Sequence, residues 1–107
     1  MQVSEVQVLA DETAALFRLL GDPTRVRILQ SLAGTDEMCV HEIASAVDSS
    51  ETKVSQALRL LRTAGIVRNR RDGRHIHYRL DDEHVRTLLG VTAEHVAHSG
   101  THVGAQT

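Results

Sequence analysis

Residues 41–80 read HEIASAVDSSETKVSQALRLLRTAGIVRNRRDGRHIHYRL. Two hydrophobic periods meet in this stretch. In the first half, Ile43, Ala44 and Val47 share one side of a short helix over about His41 to Val47. Asp48-Ser49-Ser50 interrupts it, and either serine can cap the next helix, because a hydroxyl accepts an orphan backbone N–H at a helix start. Val54, Leu58 and Leu61 then recur at spacings of four and three, which predicts a helix over 51–64 with one buried stripe. Gly65 ends it. From Ile66 onward the period becomes two. Ile76, Tyr78 and Leu80 alternate with His75, His77 and Arg79, which is strand spacing. Asp72-Gly73 is a favoured pair for a two-residue hairpin turn, because glycine tolerates positive φ. Short helix, polar turn, capped helix and hairpin together predict a winged helix-turn-helix.

The flanks fit that centre. Val3 to Leu20 reads as a helix with Leu9, Leu16, Leu19 and Leu20 among its apolar positions, and Gly21 breaks it. Asp22-Pro23 supplies an N-cap and a proline at the first helical position. The helix they open runs to about Leu32, buries Val26, Ile28, Leu29 and Leu32, and stops at Gly34. A last helix starts at Asp81 or Asp82 and reaches about Ser99. The fold class is mainly α with a β-hairpin wing. The 107 residues suit one domain over 1–99, with a small, polar and flexible tail over 100–107. Phe17 and Tyr78 are the two aromatics, so the core is aliphatic. Cys39 is the single cysteine, which excludes an internal disulfide and fits a reducing compartment. With no apolar run near membrane-span length and no leader pattern, a cytoplasmic protein is expected.

A formal net charge of −2 argues against a nucleic-acid partner until it is resolved by position. Between Thr52 and Leu80 stand eight basic residues and one acid, a local +7; the remainder carries four basic and thirteen acidic residues, or −9. A compact positive segment in an acidic chain is a footprint for phosphates. The helix over 51–64 presents Thr52, Lys53, Ser55, Gln56 and Arg59, types that suit base edges and phosphates. Arg68, Arg70, Arg71 and Arg74 lie at or near the hairpin tip, where they would grip the backbone or enter a minor groove. Double-stranded DNA is the expected partner.

The last helix carries a second pattern. Val85, Leu89 and Val96 form a stripe expected to pack on the domain itself. His84, Leu88, Val91, His95 and His98 form another, spaced 4, 3, 4, 3, which is a helix–helix seam with Leu88 and Val91 at its middle. His84 and His95 are eleven residues apart, about 16 Å along a helix axis, so one helix cannot gather them on one ion. An antiparallel second copy crossing near Gly90 can, giving two equivalent intersubunit sites in a homodimer. Asp82 at the helix start supplies a carboxylate, placed by cap geometry rather than by the period. Three imidazoles and one carboxylate suit tetrahedral Zn(II) or Co(II). Glu83 and Glu94 lie nearby, but a site on a seam lacks the cleft and open coordination position of a zinc hydrolase, so an enzyme is not expected.

The chain resembles the ArsR/SmtB family of metal-responsive winged-helix repressors. The resemblance rests on LFRLLGDPTRVRILQSL, MCVHEIASAV, VSQALRLLRTAGIV, RRDGRHIHYRL and DDEHVRTLL, roughly Leu16 to His98 in all. The spacing of Asp82, His84, His95 and His98 looks like that family's C-terminal-helix metal site. The resemblance implies a homodimer that binds a palindromic operator without metal and releases it when loaded with zinc, or in some members cobalt or nickel. The family's other site is thiolate-rich; here its motif reads Cys39-Val40-His41 and the arm before Leu16 has no cysteine or histidine. Cys39 is therefore expected to be a small buried residue, and His75 and His77 to face outward on the wing. His102 is available as an extra ligand for an octahedral nickel or cobalt site. That reading and a metal-independent regulator answering another signal remain open on the sequence. In the expected mechanism, metal on the last helices shifts the recognition helices out of register with DNA, with His95 reaching the backbone near Gly65.

Overall fold

A computed structural model describes residues 2–99 of the chain. The order is α1 (Val3–Leu20), α2 (Pro23–Ala33), β1 (Met38–Cys39), α3 (Val40–Val47), α4 (Glu51–Thr63), β2 (Val67–Asp72), β3 (His75–Leu80) and α5 (Glu83–Ser99). This is the winged helix-turn-helix that the two hydrophobic periods predict. The breaks are chemical. Asp22 accepts the Arg25 N–H at 3.0 Å ahead of Pro23, and Ser50 accepts the Lys53 N–H at 3.1 Å to start α4. Gly65, at φ +78, follows the last turn of α4 in the left-handed region.

The core is aliphatic and sits among α2, α3, α4 and the base of the wing. Ile28, Leu29 and Leu32 of α2, Ile43 of α3, and Val54, Leu58 and Leu61 of α4 are all fully buried. Ile66, Val67, Leu80 and Val85 close the core from below. No charged or polar residue is buried among the described residues.

Three expectations need correction. First, the sheet has three strands in the order β1-β3-β2. The two-residue β1 pairs Met38 with Tyr78 and Cys39 with His77, and two residues carry no detectable period. Second, the hairpin turn is one residue further on. Asp72 pairs with His75, so Gly73-Arg74 is the loop, and Gly73 alone of the two has positive φ, +63. Glycine at the first central position gives the type II′ geometry. Third, α5 packs on its domain along less of its length. Val85 is buried and Leu88 and Leu89 are half-buried against the core, but from Gly90 to Ser99 every residue is exposed. Val96, expected on the packed stripe, is 42% exposed, and Leu88, expected on the partner seam, lies partly against its own core. Arg86 ties α5 back to the domain by donating from Nη1 to the Ala33 carbonyl at 2.9 Å, at the end of α2.

α1 is likewise apolar where it faces away. Val3, Val6, Val8, Leu9 and Phe17 are exposed, and Leu20 is its one buried residue. Phe17 and Leu20 line an open apolar groove with Val26, Leu88, Leu89 and Val96. No described helix is long and apolar enough to cross a membrane.

Candidate nucleic-acid interface and metal centre

α4 separates its residues as the period predicts. Val54, Ala57, Leu58 and Leu61 are buried, while Thr52, Lys53, Ser55, Gln56 and Arg59 are all exposed. The helix therefore offers its polar face from its first turn, where Ser50 fixes its start.

The wing is less uniform. The register pairs Arg68 with Arg79, Arg70 with His77 and Asp72 with His75, which places these residues on one face of the sheet together with Cys39. Val67, Tyr78 and Leu80 occupy the opposite, core-facing side. On the outer face three arginines are already engaged. Arg70 donates from Nε to both Glu37 oxygens, at 3.0 and 2.8 Å, and from Nη2 to Oε1 at 2.7 Å. Arg68 Nη2 lies 3.1 Å from Asp81 Oδ2, and Arg79 Nη2 lies 3.5 Å from Asp81 Oδ1. Arg71 and Arg74 are exposed. The Arg70 hydrogen bonds, and then its charge with those of His77 and Arg79, hold the Glu37 carboxyl below the usual glutamate range, against the opposing effect of burial.

Cys39 is not a core residue. It is half-buried at the end of β1 and caps α3, and its N–H donates to Glu42 Oε1 at 2.9 Å. The Cys39 N–H and then its side chain keep the Glu42 carboxyl low. His41 Nδ1 lies 3.6 Å from Glu51 Oε2, linking α3 to the start of α4. His75 is exposed as expected; His77 is half-buried. Their ring centroids are 6.4 Å apart.

Asp82 caps α5. Its Oδ1 accepts the N–H of His84 at 2.9 Å and of Val85 at 3.1 Å. That same oxygen lies 3.9 Å from His84 Nδ1. Cap geometry thus brings Asp82 beside His84, as the period alone would not. At the far end of the helix, His95 and His98 border a shallow surface with Val91 and Glu94, and His98 Nδ1 is 4.0 Å from Glu94 Oε1. All three histidines are exposed. Among the described residues no three His, Cys, Asp or Glu side chains gather closely enough within one chain to hold a metal ion. The separation along α5 accounts for that. The expected link from His95 to the backbone near Gly65 is not formed within the chain, where the Gly65 N–H donates to the Arg62 carbonyl at 2.9 Å. His102 and the tail over 100–107 lie outside the described residues.

Sequence reasoning missed Glu37, Asp81 and Arg86. Glu37 and Arg70 are 33 residues apart and Arg86 and Ala33 are 53 apart, so no local spacing connects them.

Comparison with known proteins bears on the same regions. The sequence profile described as "Bacterial regulatory protein, arsR family" matches residues 22–69. The chain is 41% identical over 90 residues to a transcriptional repressor SmtB homolog of Synechocystis sp., covering 84% of this chain and 67% of that protein. It is 41% identical over 78 residues to a cadmium resistance transcriptional regulatory protein CadC homolog of Staphylococcus aureus, covering 73% of this chain and 64% of that one. The chain thus spans about two thirds of the length of these curated relatives. Its fold superposes on the homodimeric winged helix-turn-helix DNA-binding domain Mb0332 of Mycobacterium bovis, with a TM-score of 0.75 at 32% identity, over 94% of this chain and 96% of that one.

Proposed function

The chain belongs to the arsR family of bacterial regulatory proteins, and from that premise we propose that it is a metal-sensing transcriptional repressor acting as a cytoplasmic homodimer. It binds operator DNA without metal and leaves it when Zn(II) or Co(II) binds. It is a regulator rather than an enzyme. The observation that carries the metal reading is the layout of α5: Asp82 and His84 side by side at its start, His95 and His98 exposed one turn apart near its end.

The donor set fits such an ion. Three imidazoles and a carboxylate are borderline and hard donors of the kind Zn(II) and Co(II) accept. Both cap hydrogen bonds of Asp82 fall on Oδ1, which leaves Oδ2 to a ligand. Such an ion would be held by Asp82 and His84 at the start of one copy's α5 and by His95 and His98 at the end of the other's, and would supply a cross-link between the two helices. The remaining tasks belong to the protein. Val91 and Val96 on α5, with Val3, Val6, Leu9 and Phe17 on α1, present exposed apolar surface for a second copy. Support for that pairing comes from the homodimeric relative. Arg86 holds α5 to the end of α2, so the orientation of α5 is tied to the helix-turn-helix. Thr52, Lys53, Ser55, Gln56 and Arg59 meet base edges and phosphates, and two copies of α4 must match major grooves about 34 Å apart. Arg71 and Arg74 reach from the wing. Support for a metal signal also comes from a relative named for cadmium resistance.

The test is a DNA-binding titration with the wild-type protein and His95→Ala, using a duplex that the wild-type protein selects from a random-sequence pool. Both proteins are expected to bind the duplex without metal, and Zn(II) is expected to release the wild type alone. Release of His95→Ala by Zn(II) removes this residue from the site.

A further inference from the structure

We propose that Glu37 is a positioning residue for the wing: its clasp on Arg70 sets where Arg71 and Arg74 meet DNA, and Arg70 belongs to that clasp rather than to the phosphate contacts. The inference rests on the DNA-binding reading above and is independent of the metal.

The geometry of the pair is that of a fixed joint. Three hydrogen bonds of 2.7 to 3.0 Å engage both carboxylate oxygens with the planar fork of the guanidinium, an arrangement that fixes direction as well as distance. A phosphate contact by Arg70 would have to break all three. It would also leave the Glu37 carboxylate, whose side chain is 25% exposed, unpaired in a phosphate field.

The position of the pair explains what it holds. Glu37 immediately precedes β1, and β1 runs without a gap into α3, the first helix of the helix-turn-helix. Arg70 lies on β2, at the other side of the sheet. The pair therefore spans β3, over His77, which pairs with both Arg70 and Cys39. The base of the hairpin is anchored by buried Val67 and Leu80, while residues 70–75 are exposed. A two-stranded ribbon beyond its anchor twists and bends easily. β1 braces β3 at two positions only, Met38↔Tyr78 and Cys39↔His77. The clasp is a second brace, midway between anchored base and free tip, and it ties the wing to the entry of α3. Asp81 holds Arg68 and Arg79 at the base of the same face.

Charge and geometry predict opposite signs here. Removing a carboxylate beside a basic DNA-binding surface should tighten binding if charge alone decides; losing the joint should weaken it. With the duplex selected by the wild-type protein as probe, Glu37→Gln is expected to bind several-fold more weakly. Arg70→Gln is expected to lose a similar factor, and the two changes together no more than either alone, because they remove one joint. The dependence of log affinity on log salt should be unchanged in Arg70→Gln, whereas Arg71→Gln should lower its slope by about 1.8, the value for one lost phosphate contact in each of the two copies. Glu37→Arg combined with Arg70→Glu keeps a pair of the same net charge and is expected to recover most of the affinity. Tighter binding by Glu37→Gln, or a slope reduced by about one contact per copy in Arg70→Gln, overturns the proposal. Should the single variants not fold, a folded exchanged pair with unrecovered affinity overturns it as well. A wild-type protein that selects no duplex overturns the DNA-binding reading, and this proposal with it.

Discussion

Asp82 joins two roles in one side chain, and substitution can separate them. As a cap it satisfies two backbone N–H groups at the start of α5. As a proposed ligand it needs its negative charge. Asparagine caps a helix about as well as aspartate but is a poor metal donor, while alanine loses both roles. Asp82→Ala is expected to lower unfolding free energy by about 1 kcal/mol in urea titration, and Asp82→Asn by only a few tenths. Both should weaken Co(II) binding, read from the intense visible bands of a tetrahedral complex. An Asn variant that binds Co(II) like the wild type takes Asp82 out of the ligand set. The residue types were legible in the sequence here. The helical period sets Asp82 off the histidine face, and the expected cap turn is what brings its carboxylate beside His84; the distance between them is what the sequence alone did not supply.

At the scale of elements, the hairpin turn gives the sharpest test. Gly73 holds φ at +63 and Arg74 completes the loop, so the demand for glycine falls on one position. Gly73→Ala is expected to cost about 1–2 kcal/mol by thermal unfolding, with Gly73→Asn closer to wild type, because a left-handed conformation strains a Cβ and asparagine tolerates it best. A Gly73→Ala protein as stable as wild type contradicts the assigned turn. The Asp-Gly pair announced a turn in the sequence, but the cross-strand register decides which residues occupy it, and register depends on packing. The long elements were legible because their buried residues recur: Val54, Leu58 and Leu61 define α4 as plainly in sequence as in space. β1 is two residues long and has no period to show. The wing arginines were readable as charge, but not as two classes, engaged and free, since Glu37 comes to Arg70 from 33 residues away and Asp81 reaches Arg68 only through the cross-strand register.

The whole molecule should respond to acid in a defined direction. Glu37 and Glu42 both ionise more readily folded than unfolded. The native state then binds fewer protons than the unfolded state, so their contribution to stability is complete above the unfolded glutamate value, about 4.3, and is lost as pH falls below it through the folded values. Wild type is expected to melt above Glu37→Gln at neutral pH, with the two melting temperatures converging in acid. Parallel curves across that range would show that Glu37 is not stabilised by its partner. Both glutamates border the β1–α3 junction, so the sensitivity is concentrated where the wing meets the helix-turn-helix.

The outer half of α5 has a consequence for how such proteins diversify. From Gly90 to Ser99 no side chain is buried in the chain's own core, so folding of the monomer places little demand on which residues stand there. Substitutions at the polar positions of this stretch, away from Val91 and Val96, change what the helix end coordinates or touches without first lowering the stability of the domain. A lineage can therefore exchange one signal for another in single steps, each intermediate remaining a folded, DNA-competent protein, while the reading head is inherited intact.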